Sequence, residues 1–216
     1  MVIIGANAWF WYSLNQSKFV LLAPVLTILR GLAFFTIKKK HPRGWLLQPK
    51  WHTMKNHKEY NFKYTEISTI TELSDEEQNL VNQSLEALKT SYSPYSKFKV
   101  GAAALLENGE VILGSNQENG AYPSGLCAER VALFYAGAKY PGVPVKCLAV
   151  SACFEGEQTK SPVSPCGACR QVMIETQHIG KKPMRIILTG SEKSIVIENS
   201  AFLLPFNFVN TDKIFE

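Results

Sequence analysis

The sequence predicts one α/β domain from about Ser74 onward, with a sheet of about five strands and helices packed on its faces. Three observations carry this. Apolar residues follow Ser74 at helical spacing. An apolar run meets its return strand at Asn108-Gly109. Two further helix-like segments then separate short apolar strands.

Ser74-Asp75-Glu76-Glu77 fits a capping box, with Ser at the N-cap and Glu three residues later. Leu80, Val81, Leu85 and Leu88 continue the helix on one face, and Ser93-Pro94 ends the pattern. Phe98 to Leu106 is apolar and rich in small residues, as a buried strand is. Asn108-Gly109 then signals a tight hairpin, with Val111 to Leu113 starting the return strand. Cys127 to Ala138 reads as a helix, Cys147 to Cys153 as a buried strand and Cys166 to Gln177 as a second helix. Gly156 to Pro165 is a polar loop, and Arg185–Thr189 and Ser194–Glu198 are two more strands.

The 216 residues divide into unlike parts. Residues 1–53 hold seven of the 23 Lys and Arg, all four Trp and no Asp or Glu. The remaining 163 residues carry 16 basic and 18 acidic side chains, so the net charge of +5 is no evidence for nucleic-acid binding by the α/β part. Within the first part, Phe19 to Ile37 is apolar and precedes Lys38-Lys39-Lys40. Its length is at the lower limit for a bilayer span, and Arg30 near its middle is costly there. The preferred reading is an extension translated from an upstream start, with Met54 opening the polar lead-in of residues 54–73 and the domain occupying 74–216. A membrane anchor with its basic flank in the cytoplasm comes second, and a targeting segment third.

The five cysteines are odd in number and absent from the first 126 residues, unlike a secreted disulfide scaffold. A reducing, cytoplasmic setting is expected. Cys127-Ala128-Glu129 and, further on, Cys166-Gly167-Ala168-Cys169 place three thiols at two predicted helix starts. Helix N-termini favour thiolates, and a catalytic zinc takes three protein ligands and keeps one position open. Glu129, two residues from Cys127, is placed to carry protons without being a ligand. A C-x-x-C pair alone also fits a closed zinc knuckle, with His178 as a candidate fourth ligand, or a redox dithiol. Cys147 and Cys153 read as small buried apolar residues.

Longer motifs surround these residues. Ser93-Pro94-Tyr95-Ser96-Lys97-Phe98-Lys99-Val100-Gly101-Ala102-Ala103, Asn116-Gln117-Glu118-Asn119, Tyr122-Pro123-Ser124-Gly125-Leu126-Cys127-Ala128-Glu129-Arg130, Pro165-Cys166-Gly167-Ala168-Cys169-Arg170-Gln171 and Leu203-Leu204-Pro205 resemble, in this order, the cytidine deaminase family. The resemblance covers about Ser74 to Phe208. It implies a three-layer αβα fold with a central mixed sheet, one Zn²⁺ per subunit on Cys127, Cys166 and Cys169, and Glu129 as the proton carrier. It also implies that Asn116 and Glu118 bind the ribose, that Phe98 stacks on the base, and that the Ala128 amide and Ser164 carbonyl hold the base's edges. Arg130 would steady the thiolates. Phe208, with Phe206 as the alternative two residues earlier, would reach a neighbouring subunit's site in a homotetramer with shared active sites. The implied reaction is hydrolytic deamination of cytidine and deoxycytidine in pyrimidine salvage, the substrate being a free nucleoside and no nucleic acid. Among rival deaminases, those of nucleotides and of tRNA adenosine generally carry histidine where Cys127 stands, while the blasticidin S type and other nucleoside deaminases remain the alternative, the former sharing the zinc signature. RNA or membrane binding through residues 1–53 is the alternative of another class.

Overall fold

A computed structural model describes residues 58–209. The expectations for residues 1–53 and the Met54 start lie outside the described residues.

The chain enters the fold through β1 (Thr65–Ile67), then a short 3₁₀ turn at Ile70–Glu72. Helix α1 (Asp75–Ala87) starts at the expected capping box: the Ser74 hydroxyl accepts from Glu77 N at 3.4 Å, and Glu77 accepts from Ser74 N at 3.1 Å. Strands β2 (Phe98–Leu106) and β3 (Val111–Ser115) form the hairpin, with Gly109 at φ +85° in its turn. Helix α2 (Ala128–Lys139) leads to β4 (Val145–Phe154), and β5 (Glu157–Gln158) folds back on its end. Helix α3 (Gly167–Gly180) then crosses to β6 (Arg185–Thr189), and β7 (Ser194–Ile197) returns.

The sheet order is β1-β7-β6-β4-β2-β3, with β5 on β4. Strand β4 runs antiparallel to β2 and parallel to β6, which makes the sheet mixed. Side chains alternate across it. Ala102, Ala104 and Leu106 of β2 face α2 and α3 together with Met173, Ile186 and Leu188. Ala103 and Leu105 face α1 with Leu80, Val81, Cys147 and Ile187. The result is the expected three-layer αβα arrangement. Two short strands, β1 and β5, extend it beyond the five strands legible in the sequence. They come from the lead-in segment and from the polar loop after Cys153.

Two glycines set how closely the helices approach. A Cβ on Gly101 would stand 2.1 Å from Ser84 O, and one on Gly114 would stand 2.4 Å from Ala128 O and 2.5 Å from Ala132 N. The first contact explains a departure from the expected helix face. Ser84 and Ala87 are fully buried beneath the sheet, while Leu85 and Leu88 are only half-buried. The second lays the first turn of α2, the turn carrying Glu129, directly on β3.

Candidate zinc centre and nucleoside pocket

Helices α2 and α3 begin at the same place. Cys127 and Cys166 are their N-cap residues, and neither side chain makes a capping bond. Both sulfurs are therefore left to meet each other, 3.9 Å apart, and Cys166 Sγ lies 3.5 Å from Cys169 Sγ, one turn into α3. All three ligand atoms lie within 4.8 Å of one another. Tetrahedral zinc with Zn–S bonds of about 2.3 Å puts its sulfurs about 3.8 Å apart, so the cluster fits this ion. It is the one such cluster among the described residues.

The closed-knuckle assignment falls to geometry. His178 is in the last turn of α3, about 18 Å along the helix axis from Cys166. Cys147 and Cys153 lie in β4; burial pushes the Cys147 thiol up to about 12. Zinc would thus have three protein ligands and an open fourth position, the pattern of a catalytic site. No disulfide joins any of the five cysteines.

The surroundings favour charge on Cys127. Its thiol is pulled down to about 5, chiefly by the hydrogen bond shared with Cys169, with help from Arg130 and Cys166. Cys169, the donor in that exchange, moves the opposite way. The Arg130 Nη2 donates toward Cys127 Sγ at 3.7 Å and Gly125 O at 3.5 Å. Glu129 is 4 % exposed, and burial raises its carboxyl above the usual carboxylate range.

A cavity of about 430 Å³ opens over this centre. Its walls include Cys127, Glu129, Arg130, Ser164 and Cys166 at one end, and Phe98, Asn116 and Glu118 at the other. Short backbone bridges join the two ends. Gln117 pairs with Tyr92 on one side and Leu126 on the other, so the strand extension holding Asn116 and Glu118 runs beside the segment leading to Cys127.

The two polar residues are nearly saturated. Asn116 Oδ1 accepts from Ser91 Oγ at 2.5 Å and Val100 N at 2.8 Å, and Nδ2 donates to Phe98 O at 2.9 Å. One Nδ2 hydrogen remains. Glu118 Oε2 accepts from Tyr95 N at 2.9 Å and Ser96 N at 3.3 Å, and Oε1 accepts from the Ser96 hydroxyl. Oε1 keeps one acceptor position. The pair therefore has one donor and one acceptor to spare, the complement of a hydroxyl group.

Two of the expected residues put no side chain into the cavity. The Ala128 side chain is fully buried in the core on the α2 side, which leaves only its backbone for the cavity. Phe208 is 70 % exposed and does not line the cavity; its backbone is held by Gln171, whose Oε1 accepts from Phe208 N at 3.1 Å. Nothing in the sequence marks the roles of Ser91, Ser96 and Arg170. Arg170 donates to Pro165 O at 2.9 Å and Leu203 O at 3.0 Å, tying the closing segment to the start of α3. All but Ser91 stood inside the quoted motifs, without a pattern of their own to mark them.

A mixed αβα sheet presenting three sulfurs and a buried carboxylate at paired helix starts has the parts of a hydrolytic metal site. The model of the cytidine and deoxycytidylate deaminase zinc-binding region matches residues 74–184, and the chain belongs to that family. A cytidine deaminase of Halalkalibacterium halodurans is 41% identical over 137 residues, which cover 62% of this chain and 96% of that one. Another from Sporosarcina psychrophila is 45% identical over 136 residues, covering 62% and 93%. The crystal structure of cytidine deaminase from Burkholderia pseudomallei superposes with a TM-score of 0.52 at 39% identity, covering 60% of this chain and 97% of that one.

Proposed function

We propose that the protein deaminates cytidine and deoxycytidine hydrolytically, giving uridine or deoxyuridine and ammonia. The observation that carries this reading is one cavity bounded by the sulfur cluster and Glu129 at one end and by Phe98, Asn116 and Glu118 at the other.

Cys127, Cys166 and Cys169 would hold the zinc. When bound, zinc supplies the Lewis acidity that makes water a nucleophile near neutral pH. Phe98 presents an aromatic face to the base, and Asn116 and Glu118 take a sugar hydroxyl with their spare donor and acceptor. One hydroxyl satisfies both, which suits sugars with and without a second one. The Ala128 amide and Ser164 carbonyl orient the base's carbonyl and amino edges. Glu129 accepts the proton of the attacking water and delivers it to ring nitrogen 3. It then carries the second proton to the departing amino group, so cytidine and water become uridine and ammonia. Arg130 offsets the negative charge of three thiolates beside Zn²⁺.

The cavity lining favours nucleosides over nucleotides. Arg130 is the one cationic side chain among the lining residues, and it is engaged with Cys127 and Gly125. A 5′-phosphate would find no uncommitted lysine or arginine among the lining residues, and the Glu118 carboxylate would repel it. Ultraviolet absorbance should report turnover of cytidine and deoxycytidine at comparable kcat/KM. Deoxycytidylate should fall below them by about two orders of magnitude or more. Preferential turnover of deoxycytidylate or blasticidin S would overturn the nucleoside assignment.

The finer setting belongs to the same proposal. The unpaired cysteines support a reducing cytoplasm, and the product supports a place in pyrimidine salvage. No described helix is long and apolar enough to cross a membrane. The outward Phe208 supports a homotetramer in which each chain reaches a neighbour's site, to be read from the native mass. Residues 74–216 would form the deaminase domain, with 54–73 leading in and 1–53 dispensable for turnover, as assay of a chain starting at Met54 would show.

A further inference from the structure

We infer that Ser96 is a positioning residue whose hydroxyl fixes the Glu118 carboxylate against the sugar and ties it to the strand bearing Phe98. The inference rests on the proposed contact between Glu118 and the sugar.

Glu118 is on an exposed loop, where a free glutamate samples several rotamers and gives up that freedom on binding. Here three donors from two consecutive residues hold it: Tyr95 N, Ser96 N and Ser96 Oγ. The Ser96 hydroxyl works in both directions. It donates to Glu118 Oε1 and accepts from Phe98 N at 3.0 Å. One atom thus joins the proposed sugar ligand to the first residue of β2, whose ring is the proposed base platform.

The backbone is bent to allow this. Lys97, between Ser96 and Phe98, adopts φ 58°, a left-handed conformation unfavourable for a non-glycine residue. Its own N–H closes a turn on Ser93 O at 3.1 Å, and Glu118 N donates to Tyr92 O at 2.8 Å. The loop and the Glu118 segment are therefore locked before substrate arrives. The hydrogen bond from Ser96 is also the largest influence holding the Glu118 carboxyl below its usual range, so the group that accepts the sugar hydroxyl is the ionised one. An ordinary surface serine capping its own loop would touch neither ligand group.

The test is a double-mutant cycle on cytidine kinetics using Ser96→Ala, Glu118→Gln and the double variant. Ser96→Ala is expected to raise KM about tenfold, the worth of one charge-assisted hydrogen bond, with kcat within about twofold of the parent. Ser96→Thr, which keeps the hydroxyl, should restore most of the loss. In the Glu118→Gln background, where the Ser96 hydroxyl would donate only to a neutral amide oxygen, Ser96→Ala should cost clearly less. An unchanged KM in Ser96→Ala overturns the inference, as does an additive loss in the double variant, which would mark a merely structural role. A Glu118→Gln variant with normal KM would instead overturn the sugar contact on which the inference stands.

Discussion

Glu129→Gln is expected to bind zinc as the parent does and to lose activity by about three orders of magnitude or more. General acid–base catalysis typically contributes 10²–10⁴-fold, and in the proposed mechanism one carboxylate handles each proton of the reaction. Glutamine keeps the size of the side chain and one carbonyl acceptor but cannot accept and release a proton. The fold should tolerate it, because the glutamate already stands in a site that disfavours its charge: it is 4 % exposed, and burial raises its pKa. Metal analysis and single-substrate kinetics on the same preparation check both halves. Substantial turnover would remove Glu129 from the mechanism. Loss of zinc along with activity would make it a structural support of the cluster.

Cys169→Ala should abolish both zinc binding and turnover and lower the melting temperature. Cys169 is fully buried, lies 3.5 Å from Cys166 Sγ and within 4.8 Å of the Cys127 sulfur at the start of α2. Without it two sulfurs remain, too few for a catalytic zinc site. Metal-binding free energy that is realised only in the folded state is lost from stability too. Cys147→Ala is the matched control. It removes an equally buried thiol from the core on the α1 side. It should cost about 1 kcal/mol of stability while leaving zinc and kcat intact. Metal stoichiometry and thermal unfolding of the two variants separate a ligand from a packing residue.

The contrast between those cysteines was legible in the sequence, because helix starts and apolar strands have different patterns. Cys127 and Cys166 fall at N-caps as expected. The hairpin after Phe98 was equally legible, since Asn108-Gly109 specifies its turn. Strands β1 and β5 were not. Only Ile67 of Thr65-Glu66-Ile67 is buried, and Glu157-Gln158 has no buried residue, so neither short edge strand writes an apolar alternation. The face of α1 shifted for another reason. Gly101 brings the sheet so close to the helix that small residues, Ser84 and Ala87, take the buried positions. At the site, the candidate metal ligands and the proposed proton carrier have diagnostic types and spacing. Ser91 and Ser96 do not: serines in an irregular loop reveal their roles only when the chain folds them onto Asn116 and Glu118.

The most direct measurement is cytidine turnover against bound zinc. Protein stripped by a chelator and reloaded stepwise should recover activity in proportion to metal and level off at one zinc per chain. Undiminished turnover in stripped protein would contradict the account, as would a fully loaded cluster that leaves cytidine unchanged.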